Sequence, residues 1–326
     1  MRTVVMNQWA RRSFLLAGVF LLFMGCSQPA EEAGGEGDSS SGNGASGKLK
    51  VTATVNMVGD LARQVGGDHV EVTEIMGPGV DPHDYDATQA DLSKLRQADV
   101  ILYVGMHLEG KIQDTLEEMD GKGGKLSISV AKNIDKTTLL KDPEAEEFPD
   151  PHIWFDVTLW TQTVDAVVEG LSKADPDHKS DYEKNGEAAK AKMAELQTWV
   201  TDTLKDLPEE QRILVTSHDA YNYFGRAYGF KVVGLQGIST VSEAGLADRT
   251  KLVDFIKEQK VKAIFVETSV SPEAIKAIAS DAGVVIGGEL FSDAMGELGQ
   301  IEHGNDVGTY EGMIKHNVST IVNALK

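Results

Sequence analysis

The chain has 326 residues, 41% of them hydrophobic and 25% charged, with a formal charge of −20. That length favours two domains, each able to bury a core, and the composition is that of a globular protein. So acidic a surface, with no basic stripe, excludes nucleic acid as a partner, and the single cysteine, Cys26, excludes an intramolecular disulfide or a multi-cysteine zinc site.

The amino end is a targeting segment and is set aside from the fold. Arg2, Arg11 and Arg12 precede an apolar run over 14–23, too short to span a bilayer comfortably. Without those three arginines the charge falls from −20 to −23. The run closes in Leu22-Phe23-Met24-Gly25-Cys26, which resembles a bacterial lipoprotein signal with Phe23 where leucine is usual. The resemblance implies a signal peptide over 1–25 and a lipidated Cys26 as the new amino terminus. Arg11-Arg12-Ser13-Phe14-Leu15 also resembles a twin-arginine export signal. Residues 26–47, rich in Gly, Ser and Glu from Glu31 onward, read as a flexible tether.

From residue 48 short apolar runs alternate with amphipathic stretches. Strands are expected over 49–54, 70–75, 100–104 and 125–129, and helices over 57–65, 88–97, 111–119 and 158–173. This alternation predicts an α/β lobe, 48–174, built on a mostly parallel sheet. Asp175-Pro176 then opens a helix that runs to Pro208. Tyr182, Ala189, Met193, Leu196, Val200 and Leu204 form its one apolar stripe, with Gly186 as its weak point. This connecting helix, 175–208, joins the first lobe to a second, 209–326. There strands are expected over 212–216, 231–233, 262–266 and 283–286, and helices over 220–227, 249–260, 272–282 and 310–324. Two such lobes form a cleft at the carboxyl ends of their strands, where ligands of open α/β sheets sit.

The tripeptide Asp-Pro-His occurs twice in the first lobe, as Asp81-Pro82-His83 and Asp150-Pro151-His152. Proline stiffens each loop and lowers the entropic cost of holding a side chain in place. Taken alone, either copy reads as an ordinary turn with an exposed histidine. In the second lobe, His218 follows a strand directly and Asp293 follows another. Either also reads as a capping residue, but three imidazoles and one carboxylate at strand ends suit a borderline divalent ion. Gly105-Met106-His107-Leu108-Glu109-Gly110-Lys111 matches most of a phosphate-binding loop, yet Ile112 stands where a hydroxyl should hold magnesium and Glu109 opposes phosphate, so nucleotide binding is rejected. His107 is placed behind the ligands and not among them. His69, His178, His303 and His316 are expected on the surface, and Glu243 and Glu267 either orient a ligand histidine or face solvent.

His83 in Pro-His-Asp-Tyr-Asp, His152 in Asp-Pro-His-Ile-Trp-Phe-Asp, the run after Ser217-His218, Gly234-Leu235-Gln236-Gly237-Ile238-Ser239-Thr240 and Leu290-Phe291-Ser292-Asp293 together resemble the TroA-like zinc- and manganese-binding solute-binding proteins of bacterial ABC transporters. The resemblance runs from about Leu49 to Lys326. It implies the metal ligands His83, His152, His218 and Asp293, a site between two lobes joined by one rigid helix, and Zn²⁺ or Mn²⁺ as transported ligand. It also implies an ABC permease as partner and a monomer anchored by lipid on the extracytoplasmic side of a membrane. Some members have glutamate at the position of His218 and are then manganese proteins, so histidine here tilts toward zinc. The His-rich loop of many zinc members is missing between Thr137 and Asp150. Neutral imidazole ligands imply affinity that falls below about pH 6.5. Two other classes stand beside this reading. A zinc hydrolase would need a general base and lacks His-Glu-x-x-His; an adhesin would fit the anchor and the acidic surface.

Overall fold

The computed structural model describes residues 47–142 and 148–326. The leader, Cys26 and residues 26–46 of the tether lie outside the described residues. The first lobe begins with β1 (Leu49–Ala53), α1 (Asn56–Gly66) and β2 (Val70–Glu74). α2 (Gln89–Gln97), β3 (Val100–Tyr103), α3 (Gln113–Met119) and β4 (Leu126–Ser129) follow. Its four strands are parallel in the order β2-β1-β3-β4. Local chemistry sets the boundaries: Thr88 and Asp91 form a capping box that starts α2.

The single helix expected over 158–173 is two, α4 (Val157–Thr161) and α5 (Thr163–Ala174). The hydroxyls of Thr161 and Thr163 donate back to Val157 O and Trp160 O, both at 2.7 Å, and Gln162 N–H bonds Leu159 O, three residues back, at 3.1 Å. Such back-bonding tightens and bends a helix.

After a 3-10 turn at Pro176–His178 comes the long helix α6 (Lys179–Leu204), 26 residues and about 39 Å at 1.5 Å per residue. All six residues of its expected apolar stripe are buried. Gly186, expected as a weak point, is a point of close approach: a Cβ there would stand 2.5 Å from Val168 Cγ2 on α5. α6 packs on α1, α4 and α5 of the first lobe and on α10 of the second, so it belongs to both.

The second lobe contains β5 (Ile213–His218), α7 (Asn222–Tyr228), β6 (Lys231–Gln236) and α8 (Leu246–Gln259), then β7 (Ala263–Glu267), α9 (Glu273–Ala282) and β8 (Val285–Leu290). Parallel pairs β5–β6 and β7–β8 lie with β5 beside β7, repeating the strand arrangement of the first sheet. A short hairpin that sequence did not predict, β9 (Ile301–Glu302) and β10 (Asn305–Asp306), turns at His303-Gly304, both at positive φ. The final helix α10 (Tyr310–Leu325) lies against β8 and α6.

One hydrophobic core runs from Val51 and Leu102 of the first sheet through Trp154, Leu196 and Tyr221 to Phe291, Met313 and Ile321 of the second lobe. A smaller core fills the far side of β5 and β7 under α8 and α9. Among the described residues, no helix is long and apolar enough to cross a membrane.

Candidate metal centre

The two Asp-Pro-His loops lie after β2 and after β4, and both use one device. Asp81 Oδ1 accepts the backbone N–H of His83, and Asp150 Oδ1 that of His152, each at 2.9 Å. These are Asx turns, with proline fixing φ at the residue between. Each aspartate's other oxygen is held from the second lobe. Thr240 Oγ1 donates to Asp81 Oδ2 at 2.5 Å, and Asn222 Nδ2 donates to Asp150 Oδ2 at 3.2 Å. Asp150 Oδ1 also lies 2.8 Å from His152 Nδ1, which turns Nε2 of that ring toward the cleft.

His218 is the last residue of β5. Its N–H donates to Glu267 Oε1 at 3.0 Å and its Nδ1 lies 2.6 Å from Glu267 Oε2, so its Nε2 also faces inward. Glu267 ends the adjacent β7. At Gly234 on β6 a Cβ would stand 2.5 Å from Asp219 N, so a residue without a side chain lets β6 pass beside the backbone that follows His218. The loop after β8 that carries Asp293 is tied to both lobes. Asn56 Nδ2 and Oδ1 bond Met295 O at 3.0 Å and Met295 N at 2.9 Å, and Trp154 Nε1 donates to Ser292 O at 3.0 Å. From the second lobe, Tyr221 Oη and Asn317 Nδ2 donate to Phe291 O at 3.0 and 2.7 Å.

His83, His152, His218 and Asp293 thus each bring one ligating atom into a group whose members lie within 4.8 Å of one another. Nε2 of His83 and of His152 are 3.3 Å apart. Asp293 Oδ1 lies 3.3 Å from His152 Nε2, and Oδ2 lies 3.2 Å from His218 Nε2 and 4.0 Å from His83 Nε2. Donors about 2.0–2.1 Å from a tetrahedral zinc stand roughly 3.3 Å apart, and three of these four separations match that edge. His152, His218 and Asp293 are 0% exposed and His83 5%. Neither Asp293 oxygen meets a donor in hydrogen-bonding geometry among the described residues. A buried carboxylate without donors is costly unless a cation faces it.

The electrostatics of the four residues differ. Burial pushes the His83 imidazole down to about 3, against the pull of Asp293. Burial opposes charge on the other two rings as well, but the Asp150 carboxylate lifts His152 to about 9. Glu267 and Asp293 likewise lift His218 well above the usual histidine range. Burial would raise Asp293, yet the His218 and His152 rings hold it well below the usual carboxylate range.

Glu267 is 1% exposed and touches His218, whereas Glu243 is exposed. His107 is outside the four-residue group, exposed, with its ring stacked on Phe148. Glu109 takes for itself the loop amides that a phosphate would need: Val104 N–H at 2.7 Å and Gly105 N–H at 3.0 Å. His303 is exposed as expected, but His316 is not: at 4% exposure it lies on the buried side of α10, three residues after Met313, with Nε2 3.1 Å from Glu289 O. His69 and His178 are half-buried, stacked at 3.9 Å and paired with Asp181 and Asp175. The roles of Asp81, Asp150, Asn222 and Asn56 had no assignment. Asp81 and Asp150 sit inside the repeated tripeptide, so the signal was present; Asn222 and Asn56 carry no motif.

A model of the family described as zinc-uptake complex component A, periplasmic (ZnuA), matches residues 51–324. The manganese-binding lipoprotein MntA of Bacillus subtilis is 48% identical over 297 residues, 90% of this chain and 94% of that protein. The zinc-binding protein TroA of Treponema pallidum is 43% identical over 286 residues, 86% of this chain and 90% of that protein. The solved structure of periplasmic zinc-binding TroA from Treponema pallidum superimposes with a TM-score of 0.80 at 42% identity, covering 86% of this chain and 99% of that one.

Proposed function

The chain belongs to the family of the zinc-uptake complex component A, periplasmic, and from that premise we propose that it is an extracytoplasmic, lipid-anchored receptor that binds Zn²⁺ or Mn²⁺ and delivers it to an ABC permease. It is a solute-binding receptor and not an enzyme. The observation that carries the reading is the buried meeting of His83, His152, His218 and Asp293. Three imidazole nitrogens and a carboxylate fill a tetrahedral zinc with no position left for a reacting water, which suits a carried ion. Both oxygens of Asp293 face imidazoles, and bidentate binding would add the fifth contact that manganese accepts. Asp150 and Glu267 orient two of the rings, as carboxylates behind ligand histidines commonly do. Protein purified from its own envelope without chelator is expected to be a monomer with about one zinc or manganese per chain by elemental analysis; neither metal on folded protein would overturn the reading.

An adhesin role is not favoured, since the relatives are described by metal binding. A zinc hydrolase has no support from this family. Cys26 is the proposed lipidation site, and Cys26→Ser is expected to move the protein from the membrane to the soluble fraction. Retention of the variant on the membrane would remove that assignment.

Metal binding must displace protons. His152, lifted to about 9, and His218, lifted well above the usual histidine range, carry charge in the metal-free protein at pH 7. A ligand nitrogen must give up its proton to the ion. Affinity therefore rises as pH climbs toward about 9 and falls as pH drops, over a window well above the 6.5 expected of ordinary histidines. Calorimetry at pH 7 in buffers of different ionisation enthalpy should show proton release on binding. A heat independent of the buffer would contradict it.

A further inference from the structure

The ion needs a route to a buried site. His83 alone of the four residues keeps any exposure, 5% against 0%. It also lines a cavity of about 450 Å³ whose wall includes Met106, His107, Phe148 and Val241. Lys111 is the cavity's cation, but Asp84 at 2.8 Å and Asp86 at 3.1 Å engage it. Beyond Lys111 and the buried His83, this wall carries the exposed imidazole of His107.

The backbone goes to some length to put it there. Gly105, Met106 and His107 have φ of 84°, 56° and 70°, three successive residues in the left-handed region, two of them bearing a Cβ that disfavours it. Gln113 Oε1 holds the turn by accepting His107 N–H at 2.7 Å, and Leu108 N–H bonds Gly105 O at 3.1 Å. The imidazole stacks on Phe148 at 4.2 Å with an interplanar angle of 6°. Stacking fixes the ring plane and leaves the in-plane nitrogen lone pair available. Phe148 itself leads into Pro149-Asp150-Pro151-His152, so the stacked pair is joined to the site through the second Asp-Pro-His loop.

We infer that His107 is a transient binding point for the divalent ion at the mouth of this cavity, from which it passes to His83. The inference rests on the receptor reading above. His107 holds the ion on the way in and on the way out and contributes nothing once the ion is among the four ligands. Its loss therefore slows both directions by one factor and leaves the equilibrium alone.

The test is stopped-flow Zn²⁺ binding to the full chain, paired with chelator-driven loss, for His107→Ala and His107→Phe. The phenylalanine variant keeps an aromatic ring against Phe148 and most of the side-chain volume but carries no ligating nitrogen. In both, association and dissociation are expected to slow on the order of tenfold, within the span that single changes give association rates, with Kd unchanged to roughly twofold. Unchanged rates would reduce the pair to a cover over apolar surface. A rise in both rates would make it a plug, and a changed Kd with an unchanged association rate would make His107 a ligand; each overturns the inference. Native protein that takes up no Zn²⁺ would instead overturn the receptor reading.

Discussion

Replacing both His83 and His152 with alanine will leave the folded protein with less than about a tenth of an ion per chain. Four-ligand zinc sites carry roughly 10–16 kcal/mol of apparent binding free energy, about 3 kcal/mol per ligand, so losing two imidazoles weakens binding on the order of ten-thousand-fold. His218 and Asp293 remain, and two donors do not complete a tetrahedron. The single change His83→Ala separates ligation from folding. The Asp81 interaction with residue 83 is to its backbone N–H, which alanine keeps, so this variant should fold normally and bind about a hundred-fold more weakly. In His152→Ala the buried Asp150 loses its contact with Nδ1, so circular dichroism should accompany the titration. Replacing the exposed His303 or the half-buried His69 with alanine should leave stoichiometry untouched. Full occupancy and unchanged affinity in the double variant would sink the ligand assignment.

Stripping the ion will lower the thermal midpoint by about 7 °C. A ligand present at about a thousand times its Kd stabilises the state that binds it by roughly 4.1 kcal/mol, and an unfolding entropy of about 2.1 cal/mol/K per residue over roughly 280 folded residues moves the midpoint by about 1.7 °C for each kcal/mol. The ion stabilises because it faces a fully buried Asp293 whose oxygens meet no donor in hydrogen-bonding geometry among the described residues. Scanning calorimetry with and without chelator measures the shift, and restoring Zn²⁺ should reverse it. Coincident midpoints would mean that the four residues form an ordinary buried polar cluster.

Much of this was legible in the chain itself. Period-two and period-3.6 patterns located the strands of both sheets, and the stripe from Tyr182 to Leu204 gave α6, because apolar spacing follows the face an element buries. What failed was set by tertiary contact. Gly186 looked like a defect until Val168 filled the space over it, and the break at Gln162 came from threonine hydroxyls returning to the backbone. His316 was expected in solvent although it shares the spacing of Met313, because a lone histidine in a helix does not declare which side it occupies. At the site, His83, His152, His218 and Asp293 were each visible beside a strand end or a proline. Glu267 was not decidable, since a carboxylate at a strand end looks the same whether it meets water or an imidazole 2.6 Å away.

The repeated Asx turn has a consequence for mechanical tolerance. In both loops the carboxylate that fixes the histidine backbone stands two residues before it and is pinned by a donor from the opposite lobe. A small drift of the surrounding scaffold therefore carries aspartate, proline and imidazole together as one block. Misalignment of the cage then comes from the relative setting of two blocks and two strand ends, and the bonds from Thr240 and Asn222 span that gap. Each turn works as a gauge block that references its own imidazole to the far wall of the cleft.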